Sequence, residues 1–276
     1  MKKSVKKPIN RTPVRLFLGK QYFTFKRHLL WLFGGIKFAH KKQQEFTFEH
    51  FTHKTPLLRK LKDVEMYLQY NKIKNLKIAI KKLDGVVICP GQTFSYWKLI
   101  GKPTKRKGYL EGMILQNGSF RPGTGGGLCQ MSNLIYWMTI HTPLTVTERH
   151  RHAYDVFPDS NRTQPFGSGA TCFYNYGDLM IRNDTNQNFQ LKLEVTESDL
   201  KGYWMSDSPL EFKYEVYEKQ HVMQPELWGG YTRHNLLFRK KYSTDGTLLD
   251  DEYVVENHAV MMYPPFLTES SNSVAQ

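Results

Sequence analysis

From Val64 to Leu83 the apolar residues Leu68, Ile73, Leu76, Ala79, Ile80 and Leu83 fall at helical spacing. This predicts a helix, and Gly85 after Asp84 supplies a plausible C-cap. Val86-Val87-Ile88 reads as a short strand closed by the turn Pro90-Gly91, and Thr93 to Trp97 as extended chain or the start of another turn. Gly108 to Phe120 alternates weakly around Asn117-Gly118, a strong hairpin signal. A glycine-dense loop follows. Cys129 to His141 then carries Met131, Leu134, Ile135 and Met138 on one helical face, and Pro143 stops it.

Downstream the period becomes that of strands. Leu144 to Thr147, Ala153 to Phe157 and Phe189 to Val195 read as strands, with Pro158 to Gly169 a loop. Ala170 to Tyr176 and Leu179 to Arg182 read as a hairpin around Gly177-Asp178. Leu210 to Tyr217, Asn235 to Tyr242 and Glu252 to Val260 form a β-rich tail, with Asp245-Gly246 turning between the last two. The final residues, Ser270 to Gln276, are expected to fray. No internal repeat or low-complexity tract occurs. The expected class is α+β: mixed or antiparallel sheets, a few helices, and a central helix after the glycine loop. Three regions are expected: a basic segment over residues 1–60, a domain over 61–202, and a β-rich extension over 203–276.

The chain has 276 residues, is 40% hydrophobic and 14% aromatic, and so can bury a core. Its net charge of +14 is uneven. Residues 1–60 hold fifteen Lys and Arg against Glu45 and Glu49, a net of +13, and read as mixed helix and loop. Aromatics are interleaved there: Phe17, Tyr22, Phe23, Phe25, Trp31 and Phe33. Three readings stand: a solubilising helix packed on the core, a segment docked on an anionic membrane surface, or an arm that contacts nucleic acid, the least favoured. The apolar run Leu29 to Phe33 is short and breaks at Gly34-Gly35, so neither a secretory signal nor a spanning helix is expected. The expected location is the cytoplasm or its membrane face.

The cysteines are Cys89, Cys129 and Cys172, without a C-x-x-C pair. This argues against a zinc site, and an odd count argues against a disulfide framework. Gly125-Gly126-Gly127-Leu128-Cys129-Gln130 is the most informative stretch. Glycines leave backbone N–H groups uncovered, and a thiol at a helix start feels the positive end of the dipole, which favours thiolate. The N–H groups could hold an oxyanion, as cysteine acyl transfer requires. Glu148-Arg149-His150-Arg151-His152 places His150 and His152 on one face of an extended segment, either able to serve as general base. The plain alternatives are a tightly packed loop, a buried small hydrophobe and surface histidines. Two phosphate-loop readings fail on spacing: Leu128 stands where G-x-G-x-x-G needs glycine, and G-K-[ST] is absent. Cys129, His150 and His152 do not form a known ligand spacing, so no metal or cofactor is expected.

At these residues the sequence resembles the VanW family. Asn71 through Ala79 and Pro90-Gly91-Gln92-Thr93-Phe94-Ser95-Tyr96-Trp97 are similar to the opening of its domain. Gly125 through Leu134 is similar to its central signature, and Glu148 to His152 followed by Phe157-Pro158 to the next block. Gly169-Ala170-Thr171, Asp178-Leu179 and Arg182-Asn183-Asp184-Thr185 resemble the last. The match runs from about Asn71 to Lys201. The resemblance implies a cell-envelope protein linked to glycopeptide resistance or peptidoglycan metabolism, with a peptidoglycan stem peptide or precursor as partner. Some members act as L,D-transpeptidases through the cysteine of the signature, which here is Cys129. The matching histidine is His152, with His150 less regular. Gly125, Gly126, Gly127, Gln130 and Ser132 would line the substrate. The family usually has Asp where this chain has Gly169; Asp155 or Asp178 is a nearby acid that could orient the histidine instead. The other implied possibility is a non-catalytic accessory or binding protein at the membrane face.

Overall fold

The computed structural model describes residues 11–43, 45–58, 65–116, 118–156 and 164–265. The chain opens with α1 (Pro13–Phe33), whose proline occupies the first turn, where a missing N–H costs nothing. Next comes β1 (Phe48–Pro56), followed by α2 (Met66–Leu83). Leu68, Leu76, Ala79 and Leu83 of α2 are buried, the face that the spacing predicts. β2 (Val86–Ile88) and β3 (Thr93–Ser95) lead into the short helix α3 (Tyr96–Ile100), capped by Ser95, whose hydroxyl accepts from the Lys98 N–H at 3.2 Å. The hairpin of β4 (Glu111–Gln116) and β5 (Ser119–Thr124) precedes α4 (Cys129–Thr139). β6 (Thr145–Glu148), β7 (Tyr154–Asp155), β8 (Met180–Arg182), β9 (Phe189–Val195) and β10 (Asp199–Ser206) follow. Three long strands end the fold: β11 (Phe212–Pro225), β12 (Tyr231–Ser243) and β13 (Leu248–Met261).

The core lies between α2, α4 and an antiparallel sheet of order β1-β10-β9-β2. Alternation along β10 buries Leu200, Gly202, Trp204 and Ser206. Trp204 donates its ring N–H to the Thr139 hydroxyl at 3.1 Å, tying the sheet to the end of α4. Gly202 has no side chain because the Met138 thioether fills that space. A three-stranded sheet has the order β3-β8-β6, and a second four-stranded sheet has the order β11-β12-β13-β7, in which β13 and β7 run parallel. Arg239 of β12 donates to the carbonyls of Ile140 and Thr142, which fastens the long strands to the C-terminal end of α4.

The α+β class holds, with a β-rich C-terminal part. Three local expectations do not. The basic segment is not only helix and loop: β1 lies within it and pairs along β10. The boundary expected at 202/203 falls inside β10. Ala170 to Tyr176 is not a strand, and β8 pairs with β3 and β6 rather than with that neighbour. Ala170 and Thr171 instead spend their N–H groups on Asn133 and His150. Residues 157–163 and 266–276, with Asn117 of the hairpin turn, lie outside the described residues, as does the Phe157-Pro158 block.

The glycine loop is the tightest contact near α4. Gly125 (φ +76°) and Gly127 (φ +89°) adopt left-handed backbone, and a Cβ on Gly126 would stand 2.2 Å from the Gly112 backbone of β4. Asn75 of α2, fully buried, holds the same loop by donating to the carbonyls of Leu110 and Gly126 at 3.0 Å each. Gly126→Ala is therefore expected to lower the unfolding free energy by about 3 kcal/mol, read from the urea midpoint, whereas Ala at the exposed Gly246 turn costs less because nothing lies within 4 Å of it.

Candidate functional site

Cys129 is the first residue of α4, as its sequence position predicts. The free donors at that helix start differ from the expected ones. Gly125 gives its N–H to the Leu110 carbonyl at 2.9 Å, Gly126 to Gly123 at 3.0 Å, and Gly127 to Met113 at 3.0 Å. The loop amides thus hold the β4–β5 hairpin and are not available to an oxyanion. Among the described residues, the N–H groups of Leu128 and Cys129 donate to no other protein group, so these are the uncommitted donors of the first turn. The carbonyl of Leu128 is fixed from the other side by the buried Tyr96 hydroxyl at 2.9 Å.

The thiol also differs from expectation. Cys129 is half-buried, its Sγ lies 3.8 Å from the Cys172 carbonyl, and burial pushes the thiol up, with the hydrogen bond to Cys172 opposing. Desolvation of the charged form outweighs the helix-terminus field, so the resting group is a thiol and not a thiolate. Cys172 is buried, and burial pushes its thiol up further. Gln130 and Ser132, expected to line a substrate, spend their polar groups on the fold. Gln130 donates to the Thr55 hydroxyl and the Pro56 carbonyl at 2.9 Å each, and Ser132 donates to the Ala170 carbonyl at 2.6 Å.

Ala170 to Phe173 is the common neighbour of the thiol and the histidines. The α4 side holds it through Ser132, Asn133 and the Cys129 sulfur. On the other side the Thr171 N–H donates to the His150 carbonyl at 2.8 Å, and the His152 ring meets the Phe173 ring edge-on at 6.0 Å. The expected alternation holds: Arg149 and Arg151 turn inward over the rings of Tyr136 and Phe166, while the histidines point the other way. Neither histidine is hydrogen bonded to Cys129. Burial and the adjacent Arg151 push His152 down, favouring its neutral form. Gly169 faces Asn133: a Cβ there would stand 2.5 Å from the Asn133 side-chain oxygen, which fills the space an aspartate would enter.

The acid that orients a histidine is Glu148, two residues before His150, and the sequence reading missed it. Asp155 pairs instead with Arg233 at 3.2 Å and Tyr263 at 2.8 Å. Asp178 accepts from the Ser95 hydroxyl at 2.5 Å and from the N–H groups of Trp97 and Leu179 at 2.9 Å each. Glu148 accepts both terminal nitrogens of the buried Arg27, at 2.5 and 2.6 Å, together with the Asp178 N–H at 2.9 Å and the His150 Nε2 at 2.8 Å. Burial pushes this carboxyl up, but the hydrogen bonds from His150, Arg27 and the Asp178 backbone win and hold it at about 2. An ionised carboxylate only accepts, so Nε2 of His150 carries a proton, and the tautomer this selects has its lone pair on Nδ1. That ring is 42% exposed. A sequence signal existed in the Glu-x-His alternation, but Arg27, 121 positions away, did not announce itself. Among the described residues no three His, Cys, Asp or Glu side chains converge as a metal site.

A family model described as VanW like protein matches residues 71–205. Vancomycin B-type resistance protein VanW of Enterococcus faecalis is 32% identical over 200 residues, which is 72% of this chain and 73% of that protein. Uncharacterized protein YoaR of Bacillus subtilis is 30% identical over 113 residues, 41% of this chain and 36% of that longer protein. No solved structure matches the chain. Ser95, Trp97, Glu148, His150 and Asp178 all fall inside the matched span, while Arg27 lies outside it.

Two outcomes follow from the carboxylates. Glu148→Gln leaves the Arg27 guanidinium buried without a counter-charge, so a loss of about 3 kcal/mol is expected by urea unfolding. Burial pushes Asp178 up to about 6, with Ser95 and the Trp97 N–H opposing. A raised carboxyl favours the fold most when protonated, so its contribution is full below the ordinary value of 3.8 and fades as pH rises through 6. The stability difference between wild type and Asp178→Asn should thus grow on acidification from neutral pH toward pH 4 in matched urea titrations; a pH-independent difference contradicts the burial of that charge.

Proposed function

This chain belongs to the VanW family, and from that membership we propose that it serves vancomycin resistance through peptidoglycan metabolism, as an L,D-transpeptidase-like cysteine acyltransferase on stem peptides. The observation that carries the reading is the Glu148–His150 pair. A carboxylate held ionised by Arg27 fixes the histidine tautomer and leaves Nδ1 as a base, and the His150 carbonyl accepts from Thr171, next to the Cys172 carbonyl that the Cys129 sulfur meets.

Because burial keeps Cys129 protonated at rest, the proton leaves as the bond forms rather than beforehand. Sγ attacks the donor carbonyl carbon, the thiol proton passes to His150 Nδ1, and the oxyanion takes the uncommitted N–H groups of Leu128 and Cys129. Collapse of the tetrahedral adduct breaks the C–N bond, and the imidazolium returns that proton to the departing amine. An acceptor amine then attacks the thioester and loses a proton to His150, and the thiolate leaves and is reprotonated. His152, neutral and against Phe173, lines the approach. Gly125, Gly126 and Gly127 act through backbone shape, and Gln130 and Ser132 by fixing α4 against β1 and Ala170.

A second reading, a binding or accessory protein for the same precursors, is favoured by the raised thiol and the absence of a Cys129–histidine hydrogen bond. The two separate on covalent labelling. A carbapenem or an activated thioester of a stem peptide is expected to add to Cys129, as located by mass spectrometry. His150→Asn should slow labelling by about a hundredfold or more and Cys129→Ala should abolish it. An unlabelled Cys129 beside retained precursor binding, unchanged in Cys129→Ala, selects the accessory reading.

A further inference from the structure

Along α1, Val14, Leu18, Tyr22, Phe25, Leu29 and Leu32 follow one another at steps of four or three, one continuous stripe on a helix of 3.6 residues per turn. Each is between 40% and 72% exposed. The opposite face carries Thr24, Arg27, Leu30 and Trp31, which turn toward the body. That inner face is fastened at three points. Arg27 grips Glu148, Lys98 donates to the Trp31 carbonyl at 3.2 Å, and Asn175 donates to His28 at 3.3 Å. The helix is thus docked by one side, and among the described residues nothing covers its apolar side. Such a stripe, about 27 Å long, exceeds the scattered apolar residues of an ordinary surface.

The charge beside the stripe indicates what covers it. From Arg11 to Lys42 the chain has no Asp or Glu, while Arg15, Lys20, Lys26, Lys37 and Lys41 add positive charge along and just after the helix. Exposed Phe17 and Phe23 broaden the apolar surface beyond a seam, and aromatic bodies suit the headgroup boundary. No helix among the described residues is long and apolar enough to cross a membrane. We propose that α1 lies in the plane of an anionic lipid bilayer, its stripe sunk at the headgroup and acyl boundary and its cations on lipid phosphates. Since Arg27 faces the opposite way, the Glu148–His150 pair then stands about one helix diameter, roughly 10 Å, from the bilayer surface.

Co-sedimentation of the full chain tests this with two kinds of vesicle, phosphatidylcholine alone and phosphatidylcholine mixed with phosphatidylglycerol. The wild-type chain is expected to pellet with the anionic vesicles, far less with the neutral ones, and to be released by salt. Leu18→Ser/Phe25→Ser/Leu32→Ser should weaken pelleting by at least about tenfold with an unchanged thermal melt, since these side chains leave the body untouched. Lys20→Glu/Lys26→Glu should weaken anionic-vesicle binding by a similar factor. Wild type remaining in the supernatant with both vesicles overturns the proposal. So does a stripe variant that pellets like wild type, or a dimer dissolved by the stripe substitutions without any lipid binding. The test reads lipid attachment alone, so it stands or falls separately from the chemistry proposed for Cys129.

Discussion

The carboxylate of Glu148 sits in a half-buried position and accepts from Arg27 on α1, from the Asp178 backbone, and from His150 beyond β6. A charge removed from water is stable only if its lone pairs are filled, and here four donors fill them. The N-terminal helix, the β3-β8-β6 sheet and the candidate base are therefore positioned by one group. Asp178 extends the network to Ser95 and Trp97 at the start of α3, so blocks far apart in the chain meet around two carboxyl groups.

The two carboxyls are held in opposite ways. Glu148 has charged and backbone donors enough to overcome burial and stays ionised. Asp178 is more deeply enclosed, next to Glu148, and burial raises it toward neutral pH. The arrangement suits an ionised partner for an imidazole beside a structural carboxyl that anchors backbone. The thiol stands apart from both. Its surroundings favour the protonated form, so the helix start contributes uncommitted N–H groups rather than a preformed nucleophile.

Through Arg27 the same network reaches α1, whose two faces do different work. One face supplies the counter-charge that keeps Glu148 ionised, and the other presents apolar side chains to the surroundings. The basic segment, which by charge alone reads as an appendage, is thereby part of the domain: β1 extends its central sheet and α1 completes its buried ion pair.

What depends on neighbours in sequence is legible in the chain itself. The spacing of Leu68, Leu76 and Leu83 marked α2, the run from Cys129 marked α4, β9 fell at Phe189–Val195, and the separated signature blocks marked the family. Periodicity and turn chemistry act over a few residues, so the chain itself records them. Partners do not leave such a record. β1 reads as polar and irregular until β10 pairs with it, β8 joins β3 and β6 rather than the adjacent segment, and the glycine amides go to hairpin carbonyls. Whether a thiol is charged, which acid turns a histidine and where an arginine ends are decided by burial and by hydrogen bonds between residues far apart in the chain. Only the tertiary structure sets those, because desolvation is a property of the surroundings and not of the residue.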